Sequence, residues 1–178
     1  MKVIGILCSP RRGANSDTMV AAALDGAAEK GAETKTFAIN DMSIKGCQAC
    51  MYCRTHDGCA VQDDMQQIHA ELATADAVVI GAPVYMWQFS AQAKIFLDRL
   101  YAYLNPDFTF KMQKPALVLV SQGNDNPEMF MDSLKKTGFI GLSVKDMIVA
   151  ANAKEKDFVS KQPELLERIK QAGARLVG

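Results

Sequence analysis

Net charge is missing from this chain: twenty lysines and arginines offset twenty aspartates and glutamates in 178 residues. A neutral chain has no electrostatic footprint for nucleic acid or for an anionic membrane surface. Long apolar runs are missing too, and those present are too short to cross a bilayer. The run after Lys2 is brief and leads straight into Pro10-Arg11-Arg12, so it does not read as a secretory signal. A cytoplasmic location is therefore the expectation. There is no G-x-G-x-x-G and no G-x-x-x-x-G-K-S/T, which removes the dinucleotide fingerprint and the P-loop. Repeats, low-complexity tracts and any sign of a second domain are also absent, so residues 1–178 read as one domain with a sizeable core.

Histidine is scarce: His56 and His69 are the only two. His56 reads as a surface residue and His69 as an ordinary helix residue. Cysteine is scarce outside one place. Of five cysteines, four fall between Cys47 and Cys59, and the fifth, Cys8, reads as a small apolar filler at the end of a strand.

What is present is organised around the first eighteen residues. Lys2 to Cys8 is a short apolar run, as expected of a strand buried on both faces. A polar loop follows, Ser9-Pro-Arg-Arg-Gly-Ala-Asn-Ser16, and then a helical pattern over 15–30. Strand, polar loop and helix start together form an arrangement that offers free backbone N–H groups to a phosphate. Ser9, Asn15, Ser16 and Thr18 add short donors, and Arg11 and Arg12 add charge in a planar fork. Such a loop suits one terminal phosphate, as on flavin mononucleotide. An ordinary N-cap explains Ser, Asn and Asp at this place equally well.

Down the chain, strands are expected at 2–8, 33–39, 77–81, 115–121 and 142–150. Helices are expected at 15–30, 63–75, 91–104, 128–137 and 163–176. Gly31 is placed to end the first helix and Pro163 to open the last. Alternation of this kind predicts an α/β fold, a parallel sheet with helices on both faces. Ligands of such sheets lie beyond the carboxyl ends of the strands. There the loops 9–16, 82–90 and 121–127 would converge.

The sharpest chemical signal is Cys47-x-x-Cys50-x-x-Cys53-x5-Cys59, in a non-periodic stretch over 42–62. Such crowding in a reducing compartment points to metal or redox chemistry rather than a disulfide framework. Four thiolates so close match the ligand demand of an iron–sulfur cluster. Zinc usually takes two separated cysteine pairs. A third possibility is a compact loop of free thiols. Past the third strand, Tyr85 and Trp87 are placed to cover a flat ring or line the substrate side, and Phe89 reads as core. Past the fourth, Gly123 permits close backbone approach to a ligand.

With these residues in hand the sequence resembles the flavodoxin-like NADPH-dependent FMN reductase superfamily, in its iron–sulfur flavoprotein branch. The resemblance rests on Gly5-x-x-x-Ser9-Pro-Arg-x-Gly-x-Asn-Ser16, on the cysteine motif running into Asp63-Asp64-Met65, and on Pro83-Val-Tyr85 continuing to Ser90-Ala-Gln-x-Lys94-x-Phe-x-Asp98-Arg99. It implies a flavodoxin-like three-layer sandwich with a five-stranded sheet in the order 2-1-3-4-5. It implies noncovalent FMN, its phosphate at Ser9, Arg11, Asn15, Ser16 and Thr18. The ring would lie against Pro83, Val84, Tyr85, Met86 and Trp87 and against Ser121, Gln122, Gly123 and Asn124. A 4Fe–4S cluster would take Cys47, Cys50, Cys53 and Cys59. The expected activity is that of an FMN-dependent oxidoreductase, loaded by NAD(P)H or a ferredoxin-like donor and serving a flavin, quinone or other small acceptor. No protein acid, base or nucleophile is nominated. A homodimer or homotetramer is implied. The rival is a flavodoxin-like carrier with no turnover of its own, against which the neutral charge counts.

Overall fold

The computed structural model describes residues 1–126 and 139–178. The expected helix at 128–137 lies outside the described residues. The strands are β1 (Lys2–Leu7), β2 (Glu33–Ala38), β3 (Ala77–Tyr85), the two-residue β4 (Gln88–Phe89), β5 (Lys114–Ser121) and β6 (Leu142–Ala150), of which β1, β3 and β5 are the apolar, buried ones. Five of them run parallel in the order β2-β1-β3-β5-β6, and β4 pairs antiparallel with β3. Without β4 this is the expected order 2-1-3-4-5.

Helices α1 (Asn15–Glu29) and α4 (Pro163–Ala174) cover one face, and α2 (Met65–Thr74) and α3 (Ala91–Arg99) the other. Each helix buries one stripe, as a surface helix must. Met19, Val20, Ala23 and Leu24 of α1 meet Ile169 and Ala172 of α4 over the first face. Met65, Ile68, Leu72, Phe96 and Leu97 fill the second. Gly31 ends α1 in the left-handed region, φ +84°, with its N–H on the Ala28 carbonyl.

One close approach sets the site. A Cβ on Gly81 would stand 2.4 Å from Val20 Cγ2 and 2.8 Å from the Ser16 carbonyl oxygen. Only glycine lets the first turn of α1 rest on β3 here, which brings Ser16 to the carboxyl ends of the strands.

Two expectations need correcting. The stretch 82–90 is not an irregular loop: β3 runs on to Tyr85 and folds back as a hairpin, pairing Val84 with Phe89 and Tyr85 with Gln88. Its two-residue turn, Met86-Trp87, has both residues at positive φ (47° and 60°), the twist that a tight hairpin favours. The helix expected over 91–104 stops at Arg99 and tightens into a 3₁₀ turn, Leu100–Tyr103. Apolar periodicity continues through both forms, so the sequence pattern does not separate them.

Candidate functional site

The carboxyl ends of β1, β3 and β5 open onto a cleft of about 300 Å³, within the usual range for small-molecule sites. Ser9, Arg11, Ala14, Asn15 and Ser16 form one wall, Pro83, Val84 and Tyr85 the second, and Ser121, Gln122 and Gly123 the third. Ala153, Lys154 and Lys156, from the loop after β6, close one end. A shallower extension of about 230 Å³ shares Val84, Gln122 and Gly123 and adds Met86, Trp87 and Asn124. Of the eight buried polar residues among those described, five line this cleft: Ser9, Asn15, Ser16, Ser121 and Gln122.

The first turn of α1 is not closed by a side chain. Ala14 stands at its N-cap, with no side-chain hydrogen bond to the helix. The short polar residues serve other ends. Ser9 Oγ accepts from the Arg11 N–H at 3.0 Å and shapes the loop. Ser16 Oγ shares a 2.8 Å hydrogen bond with Ser121 Oγ, tying α1 to β5. Thr18 does not line the cleft; its hydroxyl donates to the Ala14 carbonyl at 3.2 Å. Asn15 faces the cleft but spends its amide on the loop after β6. Arg12 pairs with Asp17 and Asp41, both at 3.3 Å, whereas Arg11 forms no ion pair among the described residues. Gln122 carries an orphan: Oε1 is buried and accepts nothing, while Nε2 donates to the Asn124 carbonyl at 3.3 Å. An uncapped helix start and an unmet acceptor in one cleft suit a ligand with a phosphate and an N–H edge. FMN has both.

The four cysteines of the 42–62 stretch form a second place. Cys47, Cys50, Cys53 and Cys59 line one pocket with Arg99 and Tyr101. All are free thiols; Cys47 and Cys50 are exposed and Cys53 is buried. Burial is the main reason that the Cys53 thiol is pushed up from its ordinary pKa, and the neighbouring cysteines add to it. Number and kind of donor fit a cluster, and the Arg99 guanidinium would offset negative charge. The shape fits less well. The pocket holds about 20 Å³, room for one water-sized body. Among the described residues no three His, Cys, Asp or Glu side chains stand where they could hold one metal ion.

This loop is tied down at both ends. Arg99 on α3, fully buried, grips Asp63 through two hydrogen bonds of 2.6 and 3.1 Å and donates to the Lys45 and Val61 carbonyls. Farther along, Arg54 donates to the Asn105 carbonyl at 2.7 Å and lies over Phe108. Sequence reading singled out Arg99 only as part of a motif; its burial beside Asp63 is a tertiary fact.

His69, expected to be unremarkable, is not. Its Nδ1 is 2.9 Å from Tyr103 Oη, its Nε2 is buried without a partner, and both residues line a cavity of about 560 Å³ beside the cysteine loop. Burial, helped by Arg99, lowers its pKa to about 4, against a smaller opposing pull from Asp63. The unfolded chain takes up this proton near pH 6.5 and the folded chain only near 4. Stability therefore falls as pH drops through that window. In urea titrations, His69→Gln should flatten the decline between pH 6.5 and 4, an effect of order 1 kcal/mol or more at the acid end.

Fold and cleft together define a flavodoxin-like α/β protein with a polar cleft at the carboxyl ends of its strands. The chain belongs to the NADPH-dependent FMN reductase family, whose sequence profile matches residues 1–156. Within that family it sides with proteins named iron–sulfur flavoprotein. One, from Methanosarcina thermophila, is 38% identical over 120 residues, 67% of this chain and 63% of that protein. Another, from Archaeoglobus fulgidus, is 35% identical over 122 residues, 68% of this chain and 62% of that protein. The matched region thus spans under two thirds of either relative's length. A solved NAD(P)H:quinone oxidoreductase from Methanothermobacter marburgensis superposes with a TM-score of 0.77 at 19% identity, over 100% of this chain and 98% of that one, which is a likeness of fold.

Proposed function

We propose that the protein is an FMN-dependent oxidoreductase that takes electrons from NAD(P)H or a reduced ferredoxin-like carrier and passes them to a flavin, quinone or other small acceptor. The observation that carries this reading is the uncapped start of α1, opening onto a cleft that gathers most of the buried polar side chains among the described residues. FMN, when bound, supplies exchange between two-electron donors and one-electron carriers. The chain's own residues do the rest. Backbone N–H groups of the first turn and the Arg11 guanidinium hold the phosphate. The β3 and β5 ends, with the Gln122 acceptor, fix the ring edge. Tyr85, Met86 and Trp87, on the hairpin, border the open side where a second substrate enters. The relatives' name supports an iron–sulfur cluster, and four thiols at Cys47, Cys50, Cys53 and Cys59 match the ligand number of the 4Fe–4S type. A cluster there requires the loop to open beyond its present volume. A cytoplasmic location and a dimer or tetramer complete the proposal.

The test is the visible spectrum of protein purified without oxygen, with iron and acid-labile sulfide assayed on the same sample. Stoichiometric flavin, followed by steady turnover with NADPH or reduced ferredoxin and a quinone, is the expected result. Iron and sulfide near four per chain, as a cluster requires, would add the second redox group. A colourless protein that does not take up FMN would overturn the reading. Flavin without turnover would make it a carrier.

A further inference from the structure

We propose that Asn15 acts as a positioning residue: it fixes the loop 153–159 so that Lys154 and Lys156 close the phosphate end of the cleft. The proposal rests on the flavin reading above, gives Asn15 a role other than direct phosphate contact, and adds Lys154 and Lys156, which the motif does not assign.

The side chain of Asn15, 6% exposed, is committed to this loop. Its Nδ2 donates to the carbonyls of Ala153 at 3.2 Å and Glu155 at 2.7 Å, and its Oδ1 accepts from the Val159 N–H at 3.0 Å. Both hydrogens of the amide and one lone pair of the oxygen are thereby used. The side chain has nothing left to donate to a phosphate. It does pin the backbone on either side of Lys154 and Lys156 to the first turn of α1. Both lysines line the cleft, as does Arg11. None of the three makes an ion pair or a side-chain hydrogen bond among the described residues. Lys154 also packs near Gly123: a Cβ there would lie 3.5 Å from Lys154 Cγ.

Charge balance gives the lysines a task. A phosphate monoester carries about −1.5 to −2 at neutral pH, and a helix start offers about +0.5. Arg11 alone brings the positive side to about +1.5. What stays unmet, up to about −0.5, is within reach of either ammonium group, and the two together offer the phosphate oxygens three donors each that need no fixed fork.

The test is titration of flavin-depleted protein with FMN and with riboflavin, which lacks the phosphate, followed by fluorescence quenching. The Lys154→Ala/Lys156→Ala double variant should bind FMN about ten-fold more weakly and riboflavin as before. The Lys154→Arg/Lys156→Arg variant should keep FMN affinity. Asn15→Asp replaces a double donor with an acceptor facing two carbonyls and should show the same FMN-selective loss. Adding the lysine-to-alanine changes to it should cost little more, because strut and lysines act as one unit. Unchanged FMN affinity in the double variant overturns the proposal, as does an equal loss for both flavins, which would mean a distorted cleft. Wild-type protein that binds neither flavin overturns the flavin reading and this proposal with it. FMN uptake that ignores the lysines overturns the proposal alone.

Discussion

Replacing Arg99 with methionine is expected to destabilise the protein by about 3–5 kcal/mol, the usual cost of stranding one member of a buried ion pair. The guanidinium and the Asp63 carboxylate are almost wholly out of water, with side-chain exposures of 0% and 5%. Arg99 also donates to the carbonyls of Lys45 and Val61, on the two strands of chain that enter and leave the cysteine loop. Methionine fills much of the volume and none of these bonds. Urea denaturation reads the stability loss, and the rate at which Cys53 reacts with a thiol reagent reads release of the loop. The effect has a pH signature. Burial by itself would raise the Asp63 pKa, but Arg99 and the N–H groups of Lys45 and Met65 outweigh it and hold the carboxyl below its ordinary value. Its stabilising contribution is therefore present above the carboxylate range and lost as pH falls through the lowered folded value. Without Arg99 the largest of the lowering interactions is lost, so the gap between wild type and variant should narrow on acidification. A Cys53 no more reactive than before, or a gap that ignores pH, would contradict this role for the pair.

Gly173→Ala is expected to lower stability by about 2 kcal/mol, despite the better helix propensity of alanine. At this crossing α1 and α4 touch backbone to backbone. A Cβ on Gly173 would lie 1.9 Å from the Ala23 carbonyl oxygen, and one on Gly26 would lie 1.9 Å from that of Lys170. The closest atoms are backbone and cannot swing aside, so the helices must part and loosen the contact of Ala23 with Ile169 and Ala172. Overpacking of this kind costs about 1–3 kcal/mol, and a backbone oxygen at 1.9 Å puts this case at the upper end, against about 1 kcal/mol recovered in the helix. A thermal scan should show a fall of about 4–8 °C for a chain of this size, and Gly26→Ala should behave alike. Parting the helices also tilts the first turn of α1, so FMN should bind more weakly in both variants. A melting point at or above that of the wild type would mean that the crossing is looser than it stands here.

These two effects differ in how visible they were beforehand. The central strands were legible because strands buried on both faces are mostly apolar: β1 and β5 fall within a residue of the expected 2–8 and 115–121. The hairpin at 82–90 was not, since Met86 and Trp87 at its turn are poor hairpin formers and take positive φ only because the flanking pairs hold them. The residues of loops 9–16 and 121–124 were legible as a polar rim. Which atoms were already committed was not. Asn15 looks like a ligand in any sequence window, and its partners lie 138 to 144 residues away. Lys154 and Lys156 gave no signal for the same reason: exposed lysines in a polar loop are common, and only the fold carries these two to the cleft.

That separation bears on when the protein becomes competent. The N–H groups of the first turn leave the ribosome before the loop that faces them, because the brace from Asn15 to Val159 joins residues 144 apart in the chain. The wall it supports does not exist until Val159 has left the ribosome. A cofactor that depends on that wall is a late passenger: nascent chains cut short before residue 153 should retain little FMN, however well their first strands have paired.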